Sequence, residues 1–151
     1  MASNLAPNDT NGRSEVFVHD LATGSTEVVS VASDGGLGNG AATAFSISSD
    51  GRFVTFLSTA NNLVAGDSNA APDVFVRDRK NGTTERVSLT AAGAEGPGAG
   101  LLLGTEISAD GRFVLFSGRD GYVPSDTNGF VDLFVRARVA GPTVRVLHVM
   151  P

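Results

Sequence analysis

The chain has 151 residues, of which 41% are hydrophobic and 19 are glycines, and it carries a formal net charge of −5. This apolar content is enough for a folded core, so general disorder is excluded, and the acidic balance argues against a nucleic-acid partner. The absence of cysteine excludes disulfides and thiolate chemistry, no apolar run approaches the roughly 18 residues of a membrane span, and residues 1–7 lack a signal-peptide pattern.

Short stretches rich in β-branched and aromatic residues predict ten β-strands. In chain order they cover residues 15–20, 26–31, 44–48, 52–58, 73–78, 84–89, 104–108, 112–117, 132–137 and 143–149. Asp50-Gly51, Asn81-Gly82 and Asp110-Gly111 are turn signals between neighbouring strands. Since no stretch shows a sustained helical period, we predict an all-β fold built of antiparallel hairpins.

The same units recur along the chain. Residues 9–20 match 67–78 and 126–137 at spacings of 58 and 59 residues, and Asp50-Gly51-Arg52-Phe53-Val54 matches Asp110-Gly111-Arg112-Phe113-Val114. A unit of four short antiparallel strands repeated at fixed spacing predicts the blades of a β-propeller. The chain would be a single partial propeller over residues 1–151, with a half blade at 1–31 and full blades at 43–89 and 104–149.

The segment from Ser48 to Phe56 (Ser-Ser-Asp-Gly-Arg-Phe-Val-Thr-Phe), followed by Asp73 to Asp78, resembles the TolB-like bacterial β-propeller repeat. The hallmark of that repeat is a Ser-x-Asp-Gly-Arg/Lys turn. The resemblance implies a ligand- or protein-binding platform, often in exported bacterial proteins. An extracellular or periplasmic location is therefore favoured by the resemblance alone.

Ten strands amount to two and a half blades, whereas propellers close with about four to eight. Three explanations stay open: the chain is a piece of a longer propeller, several chains self-associate into a ring, or the partial propeller is a stable monomer. An incomplete ring leaves unpaired strand edges and half-covered apolar faces.

An Asp-x-Asn-x-x-x-Asp/Glu pattern precedes three of the strands, and its repetition predicts Ca²⁺-binding loops. The candidate metal ligands are Asp9, Asn11 and Glu15 in loop 1, Asp67, Asn69 and Asp73 in loop 2, and Asp126, Asn128 and Asp132 in loop 3. Calcium prefers six to eight hard oxygens from a compact loop. In the alternative interpretation, the same side chains only cap the backbone of a turn.

These features favour a non-enzymatic propeller module that presents loops to a protein or glycan ligand. The sequence singles out no catalytic residue and no organic cofactor. One alternative is a hydrolase whose site forms at the ring centre or between chains, since the fold supports many chemistries. A second alternative is a structural fragment of a longer propeller.

Overall fold

The computed structural model describes residues 5–6, 9–99, 104–139 and 141–147. In this part of the chain the secondary structure consists of ten strands and no helix. The strands are β1 (Phe17–His19), β2 (Thr26–Val28), β3 (Ala42–Ile47), β4 (Phe53–Ser58), β5 (Asp73–Asp78), β6 (Thr83–Arg86), β7 (Thr105–Ile107), β8 (Phe113–Gly118), β9 (Asp132–Ala137) and β10 (Thr143–Leu147). The described residues contain no helix long and apolar enough to cross a lipid bilayer.

The strands form three antiparallel sheets. Sheet 1 is the pair β1–β2, sheet 2 has the order β3-β4-β5-β6, and sheet 3 has the order β7-β8-β9-β10. Every hydrogen-bonded neighbour in sheets 2 and 3 is also a neighbour in the chain, so each sheet is a meander. The predictions of an all-β fold and of four-stranded antiparallel units are therefore confirmed, and no sheet closes on itself within the described ranges.

Two strand ends lie three residues from their predicted positions, whereas the other strand ends within the described residues differ by two residues or fewer. β2 ends at Val28 rather than at residue 31, and β6 ends at Arg86 rather than at residue 89. The chain turns into the following crossover there, because Val31 pairs with Leu37 and the equivalent Leu89 pairs with Glu95 in isolated bridges. Residues 148 and 149, at the end of the last predicted strand, lie outside the described residues, as do Leu101 to Leu103.

Paired phenylalanines mark the centre of sheets 2 and 3. Phe56 on β4 lies opposite Phe75 on β5, and Phe116 on β8 lies opposite Phe134 on β9. The two pairs are stacked with ring centroids 5.6 Å and 5.7 Å apart. All four rings are fully buried, so each pair contributes both apolar burial and an aromatic contact to its sheet.

The hydrophobic core has two parts, one on each face of sheet 2. Val54, Phe56 and Phe75 pack with Val16 and Val29 of the sheet 1 region. The opposite face of sheet 2 packs against sheet 3. Its buried side chains are Leu57, Val74, Val76 and Val87, and they contact Val114, Phe116, Tyr122 and Phe134. Because successive strand residues point to opposite faces, sheet 2 is covered on both sides.

Ion pairs at equivalent positions also join neighbouring sheets. Arg79 at the end of β5 reaches Glu27 on β2, with Nε 2.5 Å from Oε1. Arg138 after β9 makes the same contact with Glu85 on β6 at 2.6 Å. The contact between sheets 1 and 2 is therefore repeated between sheets 2 and 3.

Candidate functional site

The three acidic loops lie immediately before β1, β5 and β9, and their asparagines have similar hydrogen bonds. In loop 2 the Asn69 side-chain nitrogen donates to Asp73 Oδ2 at 2.9 Å and to the Gly96 carbonyl at 3.0 Å. The Asn69 side-chain oxygen accepts from the Ala71 amide at 2.9 Å. Asn69 thus forms an Asx turn and ties the loop to the crossover that follows β6.

Loops 1 and 3 repeat this arrangement. Asn11 Nδ2 donates to Glu15 Oε1 at 2.6 Å and its Oδ1 accepts from the Arg13 amide. Asn128 Nδ2 donates to Asp132 Oδ2 at 3.0 Å and its Oδ1 accepts from the Phe130 amide. In all three loops the asparagine turns its nitrogen toward the acid and its oxygen toward its own backbone, which is the hydrogen bonding of the turn-capping alternative.

An arginine that the sequence analysis did not single out lies among the carboxylates of loop 2. Arg86 on β6 places Nη1 2.6 Å from Glu95 Oε1 and 3.4 Å from a carboxylate oxygen of both Asp67 and Asp73. The Ser88 hydroxyl donates to Asp73 Oδ1. Arg86 and Ser88 are two residues apart just before the crossover, so their side chains lie on the same face of the sheet. That spacing is the feature of the sequence from which their shared contact with Asp73 could have been predicted.

Loop 3 has an arginine at the position equivalent to Arg86, whereas loop 1 has an apolar residue there. Arg145 on β10 lies 2.9 Å from Asp126 Oδ1 and 3.3 Å from Asp132 Oδ2, measured from Nη1. Val28 on β2 occupies the corresponding position in the first repeat, opposite Phe17 as Arg86 is opposite Phe75. In loop 1 the Ser30 hydroxyl donates to Glu15, as the equivalent Ser88 does to Asp73 in loop 2.

A third carboxylate distinguishes loop 2 from loop 3, where Asp126 is also buried and burial also raises its pKa. One carboxylate oxygen each from Asp67, Asp73 and Glu95 lie within 4.8 Å of one another. Burial raises the pKa of Asp67, and the neighbouring Asp73 charge raises it further. Hydrogen bonds from the hydroxyl and amide of Ser68 lower the pKa of Glu95 to about 2. When all three acids are ionised, three negative charges face the single positive charge of Arg86.

Several buried polar atoms around loop 2 make no hydrogen bond. Asp67 Oδ2 and Arg86 Nε are buried without a partner, and so is the hydroxyl of Tyr122, whose ring is fully buried in the core beside them. Burial raises the pKa of the Tyr122 phenol, and the Asp73 charge acts in the same direction. Unsatisfied buried polar groups are uncommon and costly, which makes this loop a candidate ligand site.

The turns that carry the Asp-Gly-Arg signature are structural. The Asp50 carboxylate accepts from the Ser48 hydroxyl at 2.6 Å and from the Arg52 amide at 3.0 Å, as turn capping requires. The guanidinium of Arg52 makes a two-point contact with Asp78 on β5, at 2.9 Å and 2.7 Å. Arg112 in the third sheet has its carboxylate contact with Asp110 at 4.0 Å.

No known family profile matches the chain, and no curated protein is significantly similar to it. The resemblance to the TolB-like repeat stays a prediction.

Proposed function

We propose that the chain is a non-enzymatic β-propeller binding and scaffold module that completes a ring by associating with a second copy of itself. The observation that carries this proposal is the open face of sheet 3. We define this face by the outward side chains of β8, β9 and β10, namely Leu115, Leu133, Val135, Val144 and Val146.

The internal repeat indicates what the open face is suited to contact. Leu133, Val135 and Val146 occupy the positions that Val74, Val76 and Val87 occupy in sheet 2, where sheet 3 covers them completely. On the open face Leu133 and Val135 are half-buried, and Val144 and Val146 are 47% and 58% exposed. A contiguous exposed apolar patch of this kind is typical of an interaction surface.

Two copies in head-to-tail contact would bring four complete sheets and two two-stranded sheets together, which lies within the range of about four to eight in closed propellers. A head-to-tail contact forms a ring when its rotation closes. The number of sheets therefore favours a second copy as the occupant of the open face.

The test is the oligomeric state of the full chain, measured by light scattering across a range of concentrations. We expect the wild type to form a dimer or a small ring, and Val146→Lys to shift the population toward the monomer. Ala65→Lys is the matched control, because Ala65 is exposed in the loop between β4 and β5 of sheet 2, outside both the open face and sheet 1. A wild type that stays monomeric at high micromolar concentration would contradict the proposal.

A second candidate is Ca²⁺ binding at loop 2, where Asp67 and Asp73 are joined by Glu95 as the third carboxylate. The supporting observation is the buried, unpartnered Asp67 Oδ2 in a cluster with excess negative charge. Oxygen-rich loops of this charge are the usual environment of the ion. Arg86 would have to share the site with the cation or withdraw from it.

Thermal unfolding with added CaCl₂, and with a chelator, tests this candidate. Ca²⁺ at about a hundredfold excess over its dissociation constant should raise the Tm by several degrees in the wild type and in Glu106→Gln. Glu106 is an exposed acid on β7 and serves as the control. Glu95→Gln should abolish the rise, and an unchanged Tm in the wild type would remove the candidate.

A further inference from the structure

Within the described residues, sheet 1 has two strands where its repeat equivalents have four. β5 in sheet 2 pairs with β4 on one side and β6 on the other, and β9 pairs in the same way with β8 and β10. β1 occupies the equivalent position in the first repeat and pairs with β2. Among the described residues no strand pairs with the other side of β1, which we call its open edge.

The backbone of β1 presents hydrogen-bonding groups to the open edge. The Val16 carbonyl accepts from the Val29 amide, and the Asp20 amide donates to the Ser25 carbonyl, so the even-numbered residues face β2. In an antiparallel strand the intervening residues face the opposite side. The amide and carbonyl groups of Phe17 and His19 therefore point to the open edge, which is a template for another strand.

Phe17 on β1 and Asp20 just after it are equivalent to two residues of sheet 2 whose side chains contact strand β4 or the residue before it. Phe17 is equivalent to Phe75, which stacks on Phe56 of β4. Asp20 is equivalent to Asp78, whose carboxylate holds the guanidinium of Arg52 just before β4. The missing strand would therefore present an arginine to Asp20 and an aromatic ring to Phe17.

A groove next to the open edge has a largely apolar lining and room for a few side chains of a hairpin. Its volume is about 310 Å³, it lies between residues 16–19 around β1 and residues 44–47 of β3, and Val54 also lines it. Ile47 on β3 is 46% exposed, whereas the equivalent Ile107 on β7 is 9% exposed, because β7 packs against both β3 and β4. β3 has no such hairpin beside it within the described residues.

We infer that the open edge of β1 and this groove bind a β-hairpin of the β3–β4 type, whose second strand reads Arg-Phe-Val-x-Phe. The second strand pairs antiparallel with β1 in the register of β4 on β5, which sets its last phenylalanine opposite Phe17. Its arginine contacts the Asp20 carboxylate. This surface is separate from the open face of sheet 3, so the inference does not depend on the proposed self-association.

The chain itself supplies the probe, because residues 42–58 contain Arg52-Phe53-Val54-Thr55-Phe56. A synthetic peptide of residues 42–58 is titrated into the full 151-residue protein and binding is measured by calorimetry. We expect saturation at one peptide per chain. A peptide with Phe56→Ser should bind about tenfold more weakly or worse, since it loses a buried aromatic ring.

The peptide could bind at the open edge or replace the identical segment in sheet 2, and variants of the protein distinguish these two binding modes. His19→Pro removes an amide that points to the open edge and should weaken binding about tenfold, whereas His19→Ala keeps that amide and should change binding less than about twofold. Asp20→Asn removes the partner of the peptide arginine and should weaken binding severalfold. It also provides a test that needs no proline in the strand.

Since isolated hairpins are marginally stable, the same segment is also fused to the N-terminus through a flexible linker, which makes docking intramolecular. The fused chain should melt several degrees higher than the same fusion carrying Phe56→Ser in the added copy. Equal melting temperatures for the two fusions, or equal peptide affinities for His19→Pro and His19→Ala together with an unchanged Asp20→Asn, would overturn the inference.

Discussion

At the scale of single residues, Asp78 has a predictable pH dependence. Its side chain is buried, and the hydrogen bonds from Arg52 lower its pKa to about 2. The folded-state pKa lies below the unfolded value of about 3.8, so the stabilisation is present above that value and is lost as the pH falls toward about 2. Asp78→Asn should therefore lower the free energy of unfolding by about 2 kcal/mol at pH 7.

Urea unfolding of the wild type and the variant at pH 7 and near pH 2 measures this difference, which should be much smaller at the lower pH. Asp20→Asn is the matched control, since Asp20 also caps a turn through its carboxylate but has no hydrogen-bonded arginine in the described structure. Equal losses for both variants at pH 7 would show that turn capping, and not the Arg52 contact, dominates.

The same residues show how far the sequence predicted the site. The repeat located the acids of the three loops, because the pattern of Asp and Asn is visible at fixed spacing. It did not locate Arg86 or Glu95, because their contacts with Asp67 depend on how β6 and the following crossover fold back over the loop. Contacts between distant segments carry no signature within a single motif.

At the scale of elements, two equivalent turns have different tolerance to a side chain. Gly51 and Gly111 both have a positive φ, at +69° and +71°. A Cβ on Gly111 would overlap the ring of Phe53 from the neighbouring sheet, whereas a Cβ on Gly51 would meet only the flexible end of Arg79 at 3.5 Å. The turn after β7 is thus also a contact between sheets 2 and 3.

We expect Gly51→Ala to cost about 1 kcal/mol from backbone strain alone. Gly111→Ala should cost roughly 1–3 kcal/mol more, because the Phe53 ring has to move out of a packed contact with the turn. Chemical denaturation of both variants gives the comparison directly. If the two losses agree within error, the contact between Gly111 and Phe53 has no part in holding sheets 2 and 3 together.

The elements themselves were well predicted where the pattern was local. The bounds of β5 and β9 agree with the predicted residues 73–78 and 132–137, because a short run of β-branched and aromatic residues and a flanking turn define them. β2 and β6 were predicted too long, since Val31 and Leu89 have strand-like residue types but pair with the crossover. Residue type alone does not distinguish a strand end from such an isolated bridge.

At the scale of the whole molecule, the covering of the sheets predicts the order in which they open. Sheet 2 has apolar contacts on both faces, and its inner strand β5 is paired on both sides. Sheet 1 consists of two strands of three residues, and β1 has an open edge. Local opening requires less free energy where buried apolar contacts and paired backbone groups are fewer.

Amide hydrogen exchange of the full chain should therefore be slowest in β5 and fastest, among the strands, in β1 and β2. The even-numbered β1 amides, which bond toward β2, should exchange faster than the equivalent amides of β5 because sheet 1 opens more easily. Adding the peptide of residues 42–58 should slow exchange at Phe17 and His19, whose amides point to the open edge. Exchange in β1 that is as slow as in β5 before any peptide is added would contradict the predicted order, and would mean that another molecule already covers the open edge.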